Sequence, residues 1–353
     1  VKRGLTTDEI LEKYGIITNI PNGPIIKIKG AVKEEDIITI DGTSTFLRDD
    51  GISIRKDGNK YIVGIYVADV ARSIPKNSDL DLNARNNYKC LYWRGARTRM
   101  FPSKVENALS LNEGKQRGVI TLYVVLNDSG EILDYYIENN SIIVSQNLTY
   151  LQTENILDHL YTNGFERRIN DLFMISKALE SKNQNKEAYW QKKERSKKLE
   201  RYRKLKSDVI VREFMSLYNF LTSKIAKDEG IPFYYRVQDD EYISGIVKDM
   251  GMYVDDYTKK VLDNVYLESV YSTVPSKHAG LGYPHYSHSS DPLRRYPDFE
   301  NQYLFHQFLF KDMECDFDEY EFEKMAKYFN QRSVELSLMK GEFEREARLI
   351  KKK

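Results

Sequence analysis

The sequence predicts an α+β fold: an antiparallel β-sheet core wrapped by helices and closed by a long C-terminal helix. Apolar residues recur at every second position in the first half of the chain and at helical spacing in the second half. Strands followed by helices are typical of a domain with one segregated sheet. We predict one domain over residues 36–353, preceded by an irregular lead-in segment with a strand over residues 1–35.

The predicted strands form two hairpins. Alternating apolar residues over 37–70 are interrupted by Asp57-Gly58, a dipeptide typical of tight turns between strands. Residues 119–126 and 132–144 form a second alternating pair, with Ser129-Gly130 between them. The first half of the chain is therefore predicted to be mainly β.

Helical spacing of apolar residues predicts four helices, over residues 151–179, 194–206, 210–227 and 320–353. A short strand is predicted over 232–237. Asp291 followed by Pro292 predicts a further helix start, because Asp caps helices well and Pro favours the first helical position.

The composition excludes some classes of protein but does not identify the function. The 353 residues carry a net charge of +1, and 41% are hydrophobic, as in globular proteins. Cys90 and Cys315 are the only cysteines, so a disulfide framework is excluded and a reducing, cytoplasmic compartment is expected. The longest apolar stretch, residues 119–126, is too short to cross a membrane, so no membrane partner is expected.

Basic residues cluster over 192–206, where nine Lys or Arg accompany two Glu. Such a run is usually a solvated helix face. The chain also contains 26 tyrosines, several beside basic residues, and aromatic rings next to cations suit single-stranded nucleic acid. The charge run therefore permits a nucleic-acid partner without requiring one.

Three aspartates flank a short Gly/Ser/Thr loop between two predicted strands: Asp41, Asp49 and Asp50. Carboxylate oxygen is the ligand that Mg²⁺ prefers. A loop that turns Asp41 back towards Asp49 and Asp50 would hold one or two ions, with Mn²⁺ as an alternative, and paired ions suit phosphodiester hydrolysis. An ordinary acidic turn is the competing interpretation.

A second candidate cluster precedes the predicted helix start. Arg294 and Arg295 in the first turn of a helix would form a phosphate clamp, or they would be structural ion-pair partners. The histidines at 278, 285 and 288 raise the question of zinc, but they lack a closed set of ligands. Ring stacking or core packing is the preferred interpretation of these histidines.

Nine short motifs carry a resemblance to a known family. They are Thr39-Ile40-Asp41, Asp49-Asp50, Gly64 to Val70, Leu80-Asp81, Met100 to Pro102, Leu109 to Asn112, Glu213 to Met215, Tyr235-Arg236-Val237 and Pro292 to Asp298. Together they resemble the RNB catalytic domain of the ribonuclease II / ribonuclease R family. The resemblance covers roughly residues 38–348, with all motifs in the family's order.

The resemblance implies processive, magnesium-dependent 3′→5′ hydrolysis of single-stranded RNA that releases nucleoside 5′-monophosphates. It implies that Asp41, Asp49 and Asp50 surround the metal, with Asp49 the most important for cleavage, and that Arg294 holds the scissile phosphate. Arg295 belongs to the same phosphate-binding segment.

The resemblance also assigns RNA contacts outside the metal centre. Tyr92 falls at a stacking tyrosine. Glu213 and Glu342 match acidic residues that seat the 3′-terminal nucleotide. Tyr189 or Trp190 is expected to supply a second stacking ring.

Two substitutions and one absence depart from the family pattern. Leu47 stands where a fourth aspartate is expected, and Asp291 stands where the family has serine. Cold-shock and S1 domains are not recognisable in this chain. The leading hypothesis is an active exoribonuclease that acts as a monomer. The alternatives are a catalytically silent RNA-binding protein and a scaffold subunit that works with other RNA-processing proteins.

Overall fold

The computed structural model describes residues 5–26, 32–33, 35–93, 96–182, 205–238, 269–314 and 316–351. Its α-helices are α1 (Thr7–Lys13), α2 (Asp79–Asn87), α3 (Ser103–Leu109), α4 (Tyr150–Leu157), α5 (Gly164–Lys182), α6 (Lys206–Asp228), α7 (Tyr296–Leu304) and α8 (Glu319–Lys351). Its strands are β1 (Val32–Lys33), β2 (Ile38–Asp41), β3 (Asp50–Asp57), β4 (Lys60–Ala68), β5 (Tyr92–Trp93), β6 (Ala96–Arg97), β7 (Gln116–Asn127), β8 (Ile132–Ile143), β9 (Gln146–Thr149), β10 (Tyr235–Val237) and β11 (Val270–Ser272).

Seven strands form one sheet in the order β1-β8-β7-β4-β3-β2-β9. The pairings from β8 to β2 are antiparallel, whereas β1 runs parallel to β8 and β9 runs parallel to β2. The predicted α+β fold is confirmed, with the addition that both edge pairings are parallel. The predicted strand over 132–144 is β8, and the short strand β9 that follows it was not predicted; there the chain leaves the β8 pairing and enters the sheet again beside β2.

Both predicted hairpins are confirmed. β3 and β4 pair from Asp50 opposite Val67 to Asp57 opposite Lys60, so the turn lies where Asp57-Gly58 predicts it. β7 and β8 turn at Gly130, whose φ is +72°. A Cβ at Gly130 would lie 3.0 Å from the Cβ of Ala178 in α5, so glycine is required there by both conformation and packing.

The centre of the sheet is buried. In β4, Val63, Ile65, Tyr66 and Val67 are fully inaccessible, and the residues between them are mostly buried as well. A strand buried on both faces needs cover on both faces. α5 packs against β3 and α6 against β4, so helices from the second half of the chain cover strands from the first half.

The predicted helix over 151–179 is two helices, α4 and α5. The carboxylate of Glu154 in α4 accepts hydrogen bonds from the backbone N–H groups of Lys206 (3.2 Å) and Ser207 (3.1 Å). Glu154 therefore satisfies N–H groups that the first turn of α6 leaves free. The predicted helix over 210–227 is confirmed as α6, while that over 194–206 lies outside the described residues except at its end.

The prediction of a helix start at Asp291 is wrong, because α7 begins at Tyr296. The backbone N–H of Cys90 donates to the carbonyl of Arg294 (3.0 Å), and the N–H of Tyr296 donates to the carbonyl of Tyr88 (2.8 Å). Residues 291–295 form one isolated turn, in which the N–H groups of Arg294 and Arg295 donate to the carbonyl of Asp291, and the pairing with residues 88–90 delays the helix until Tyr296. Pro297 then occupies the first turn of α7.

The remaining elements agree in part with the predictions. The closing helix is confirmed as α8, and the short strand over 232–237 is confirmed as β10. The lead-in segment is less irregular than predicted, since Thr6 caps α1 and its Ile10 and Leu11 are buried in the core. Among the described residues, no helix has the length and apolar character needed to cross a bilayer.

A buried histidine joins the end of β4 to the segment after α7. His306 is fully inaccessible, and its Nε2 lies 2.9 Å from Oδ1 of Asp69 while its Nδ1 lies 2.8 Å from Oδ1 of Asp312. Burial alone would lower the pKa of His306, but the two carboxylates raise it above its ordinary value. The protonated ring is therefore part of the folded structure near neutral pH.

Replacement of His306 by Gln is expected to remove a pH-dependent part of the stability. Because the folded-state pKa is raised, the protonated ring stabilises the fold fully below the ordinary pKa of 6.5 and loses this effect as pH rises through the folded pKa. At about pH 6 the variant should be about 3 kcal/mol less stable, since it leaves a buried carboxylate without its cation.

Urea unfolding at about pH 6 and about pH 8.5 measures this difference. The wild-type protein should lose more stability between the two pH values than His306→Gln. The same substitution at the exposed His159 is the matched control and should leave the pH dependence of the wild type unchanged. Equal slopes for wild type and His306→Gln would show that the ring is neutral in the fold.

Candidate active site

A cavity of about 700 Å³ opens where the β2–β3 loop faces α6 and the segment before α7. Its lining includes six of the predicted site residues: Asp41, Asp49, Asp50, Tyr92, Arg294 and Arg295. The structure therefore brings together residues from widely separated parts of the chain.

The sheet positions the three aspartates. Asp41 is the last residue of β2, Asp50 is the first of β3, and the loop between them turns back as predicted. The backbone N–H of Arg48 donates to Oγ of Ser110 (2.8 Å), and the N–H of Ala68 donates to the carbonyl of Asp49 (2.8 Å). These bonds fix the end of the acidic turn next to β3, one to the residue that follows α3 and one to the end of β4.

Asp49 is the most deeply buried of the three, at 3% exposure. Its Oδ1 accepts the backbone N–H of Leu293 at 2.7 Å, and its Oδ2 lies 3.5 Å from Nε of Arg294. Burial, together with the negative charge of Asp291, raises the pKa of Asp49 to about 8. In the absence of a bound cation this carboxyl group is therefore largely protonated at neutral pH.

The pKa values of the other two carboxyl groups, those of Asp41 and Asp50, are raised as well. Burial raises the pKa of Asp41 to about 6, although Thr39, Arg48 and Arg294 act in the opposite direction. Burial and the charges of the neighbouring aspartates raise the pKa of Asp50 well above its ordinary value. Carboxylates that repel one another in a buried site favour a cation.

The three aspartates are compatible with one of the ways in which proteins bind Mg²⁺. Within the parts of the chain that the structure describes, no group of three or more His, Cys, Asp or Glu side chains is placed to enclose a metal ion. Mg²⁺ is, however, usually held by one or two carboxylates together with water and substrate phosphates. Asp41, Asp49 and Asp50 fit an ion shared with phosphate oxygens rather than a closed protein site.

Leu47, the residue in place of the expected fourth aspartate, is buried at 6% exposure and lines the cavity. The next residue, Arg48, turns towards the acidic group: its Nε lies 3.6 Å from Oδ2 of Asp41, and its Nη1 donates to Oδ1 of Asn112 at 3.2 Å. This part of the site therefore lacks one expected negative charge, and a guanidinium lies beside Asp41.

Asp291 binds both arginines of the predicted phosphate clamp. Its carboxylate forms ion pairs with Arg294 and Arg295, and Arg295 also binds Oδ2 of Asp298 at 2.7 Å. Burial opposes ionisation of Asp291, but the two guanidinium groups hold its pKa below the ordinary value. The alternative interpretation of Arg294 and Arg295 as structural ion-pair partners is therefore correct for Arg295, which these carboxylates hold beside α7.

Part of the Arg294 side chain remains accessible from the cavity. Its side chain is 43% exposed, in contrast to 22% for that of Arg295, and it lines the cavity beside Asp49. An exposed guanidinium next to buried carboxylates is placed to receive a phosphate. Both arginines were predicted to lie in the first turn of a helix, but α7 begins only after them. The phosphate clamp therefore consists of their side chains alone.

The predicted RNA-contacting residues divide into two groups. Tyr92 is 54% exposed and lies where the main cavity meets a second one of about 360 Å³. Glu213 is buried in α6 with its Oε1 3.3 Å from Nε of Arg212, and the cavity is lined by Arg212 instead. Tyr189 and Trp190 lie outside the described residues.

Glu342 is placed away from the acidic loop. It is buried in α8, where Nζ of Lys13 in α1 lies 2.9 Å from its carboxylate and Nη2 of Arg345 lies 3.3 Å away. Although burial opposes ionisation, Lys13 keeps the pKa of Glu342 below its ordinary value. The ion pair with Lys13 joins the first and last helices, and the role of Glu342 at the 3′-terminal nucleotide stays a prediction.

Two cavity residues were missed by sequence reasoning. Phe46 is 72% exposed in the acidic loop, and an aromatic ring in a Gly/Ser/Thr segment was the available signal. Arg236 lines the opposite wall with its guanidinium 4.3 Å from the ring centre of Tyr271. The three histidines pack as predicted: His285 stacks on Phe220, while His278 and His288 contact Tyr286.

Comparison with known proteins supports the same interpretation. The family model for the RNB domain matches residues 31–311. Ribonuclease R of Mycoplasmopsis pulmonis is 25% identical over 365 residues, an alignment that covers 86% of this chain and 50% of the relative. The chain spans about half the length of the curated relatives it matches.

Two solved structures show the same fold. Mycoplasma genitalium RNase R in complex with ribose-methylated single-stranded RNA gives a TM-score of 0.69 at 16% identity, over 96% of this chain and 60% of that one. Yeast Ssd1, a pseudonuclease, gives 0.71 at 16% identity, over 94% of this chain and 49% of that one. At this identity the likeness establishes the fold alone, and the fold is shared by an RNA-bound ribonuclease and a pseudonuclease.

Replacement of Asp49 by Asn is expected to stabilise the protein at alkaline pH in the presence of chelator. The folded-state pKa of Asp49, about 8, lies above its ordinary value of 3.8. The neutral carboxyl group therefore contributes its full stabilisation of the fold below about pH 4, and this stabilisation is lost as the pH rises through about 8. Asn keeps an acceptor for the N–H of Leu293. At about pH 9 a gain of at least about 2 °C in Tm is expected.

Scanning calorimetry at about pH 5 and about pH 9 tests this expectation. The gain should be smaller at the lower pH, where Asp49 is neutral. Asp57→Asn, at the exposed end of β3, is the matched control and should leave Tm unchanged at both pH values. A lower Tm for Asp49→Asn at pH 9 would show that the ionised carboxylate stabilises the fold.

Proposed function

The chain belongs to the RNB domain family, and we propose that it is a magnesium-dependent 3′→5′ exoribonuclease acting on single-stranded RNA. The observation that carries the proposal is the position of Asp49, buried between the N–H of Leu293 and the guanidinium of Arg294. Asp41 and Asp50 face the same cavity. The RNase R named among the relatives and the RNA-bound RNase R of the same fold support this assignment.

In the proposed reaction, water attacks the phosphorus of the last phosphodiester bond. The bond from phosphorus to the 3′-oxygen of the preceding nucleotide breaks, that oxygen takes a proton, and a nucleoside 5′-monophosphate is released. A bound Mg²⁺ would activate the water and stabilise the charge on the leaving oxygen. Asp41, Asp49 and Asp50 would hold the ion together with the phosphate.

The remaining side chains would position the RNA. Arg294 presents its exposed guanidinium to the phosphate, and Tyr92 offers an exposed ring for a base next to it. Arg236 lines the wall facing the acidic loop and would neutralise a neighbouring phosphate, whereas Arg212 on the same wall is already paired with carboxylates. These residues would hold the RNA strand while its 3′ end reaches Asp49. Cleavage would then remove one nucleotide at a time.

A second candidate function is RNA binding without cleavage. Leu47 removes one carboxylate, and Asp291 neutralises part of the arginine clamp. The shared fold with the pseudonuclease Ssd1 shows that this architecture occurs without nuclease activity. Such a protein would keep the cavity and the stacking rings but would act in a larger RNA-processing assembly.

Incubation with a 5′-labelled single-stranded RNA of on the order of 30 nucleotides tests the proposed function. With Mg²⁺ the wild-type protein is expected to give a ladder that shortens from the 3′ end, with mononucleotides released. Chelator and Asp49→Asn should each reduce the rate by at least about 100-fold, because a charge-stabilising group is lost. Asp57→Asn should cleave like the wild type. Intact RNA in every lane, with binding retained, would leave the second candidate.

Replacement of Leu47 by Asp is expected to raise the cleavage rate at limiting Mg²⁺ by about tenfold, because one added ligand charge strengthens ion binding by on the order of 1.4 kcal/mol. The measurement is the Mg²⁺ concentration that gives half-maximal rate. Leu47→Asn is the matched control, since it adds polarity without charge. If both variants lose activity and Tm together, the apolar side chain of Leu47 is needed for packing and the site is complete without a fourth aspartate.

A further inference from the structure

Phe46 is a large apolar side chain that the structure leaves in solvent at the cavity. It is 72% exposed, although it lies only three residues before the buried Asp49 and lines the same cavity. Exposed single apolar residues are common on protein surfaces. The neighbours of Phe46 distinguish it from such residues.

One face of the Phe46 ring is supported by a cation. The guanidinium of Arg97 lies 5.3 Å from the ring centre, within the range of a cation–π contact. Arg97 is itself fixed, because its Nη2 lies 2.8 Å from the carboxylate of Glu106 and its side chain is only 13% exposed. The ring of Phe46 is therefore held from one side by a rigid partner while the rest of its surface faces the cavity.

The same arginine connects Phe46 to the stacking tyrosine. Arg97 in β6 pairs directly across from Tyr92 in β5. Residues directly opposite in an antiparallel pair have Cα atoms about 5 Å apart. Phe46 and Tyr92 thus form an aromatic rim of the cavity, with the largely buried Arg97 behind them.

We propose that Phe46 is a base-stacking residue for single-stranded RNA and that it receives a base other than the one stacked on Tyr92. This inference rests on the proposed function, since it assigns a second position on the same RNA strand. Aromatic rings bind bases in a sequence-tolerant way, because every base has a flat face. Arg97 supports the ring from behind, and its remaining positive charge favours the phosphate between the two bases.

The first experiment is RNA binding measured by fluorescence anisotropy in chelator, so that cleavage does not intervene. Phe46→Ala is expected to weaken binding about tenfold, the usual effect of losing one stacked base. Phe46→Trp, which retains a flat ring, should bind like the wild type. Tyr320→Ala is the matched control: Tyr320 is also 72% exposed with a cation, Lys324, over its ring, but it does not line the cavity.

The second experiment identifies the base. RNAs carrying a single abasic site at successive positions are expected to reveal one position at which the wild type loses about tenfold in affinity and Phe46→Ala loses nothing further. A structural role for Phe46 would instead weaken binding of every RNA equally. DNA of the same sequence should show the same Phe46→Ala penalty, because stacking does not depend on the sugar.

Two results would overturn the inference, and they are distinguishable. RNA binding by Phe46→Ala equal to that of the wild type, or a penalty that no abasic position removes, would overturn the role of Phe46 and leave the proposed function standing. Failure of the wild-type protein to bind any single-stranded RNA would overturn the proposed function and this inference together.

Discussion

The burial of Asp49 is the constraint on which the rest of the site depends. Its hydrogen bond to the N–H of Leu293 spans 244 positions in the sequence and joins the start of β3 to the segment before α7. A buried carboxylate is stable only when donors or cations surround it. The isolated turn over residues 291–295 and the delayed start of α7 are consequences of supplying those groups at this point in the fold.

The balance of charge around Asp49 explains why the site favours a cation. Asp49, Asp291 and Asp298 face two guanidinium groups, those of Arg294 and Arg295, so this cluster alone carries one excess negative charge when all groups are ionised. Asp41 and Asp50 add two more at the cavity wall, and Arg48 beside Asp41 offsets one of them. Burial raises the pKa values of Asp41, Asp49 and Asp50, and the charges of neighbouring carboxylates raise those of Asp49 and Asp50 further, so without a metal these groups favour the protonated form. The site is therefore built at a cost to stability that a bound ion would offset.

Sequence reasoning succeeded where local periodicity decides the structure. The hairpins and α8 follow from patterns that repeat within a few residues, and the acidic loop lies between two such strands. It failed at Asp291, because the carboxylate binds arginine side chains and the backbone pairs with residues 88–90 instead of starting a helix. The ion pair between Glu342 and Lys13 could not be predicted either, since the two residues lie 329 positions apart and no local pattern reveals their pairing.

Leu47 and Asp291 together keep the number of carboxylates in the site but change what they do. A carboxylate at position 47 would face the cavity beside the other acidic residues, whereas Asp291 is 6% exposed and both its oxygens bind guanidinium groups. Asp291 therefore cannot replace the missing metal ligand without releasing the arginines. Its effect is on the clamp: it fixes the position of Arg294 and reduces the positive charge offered to phosphate. If the site cleaves RNA, it does so with fewer metal ligands and a weaker hold on phosphate, and the aromatic rim has to supply more of the binding energy.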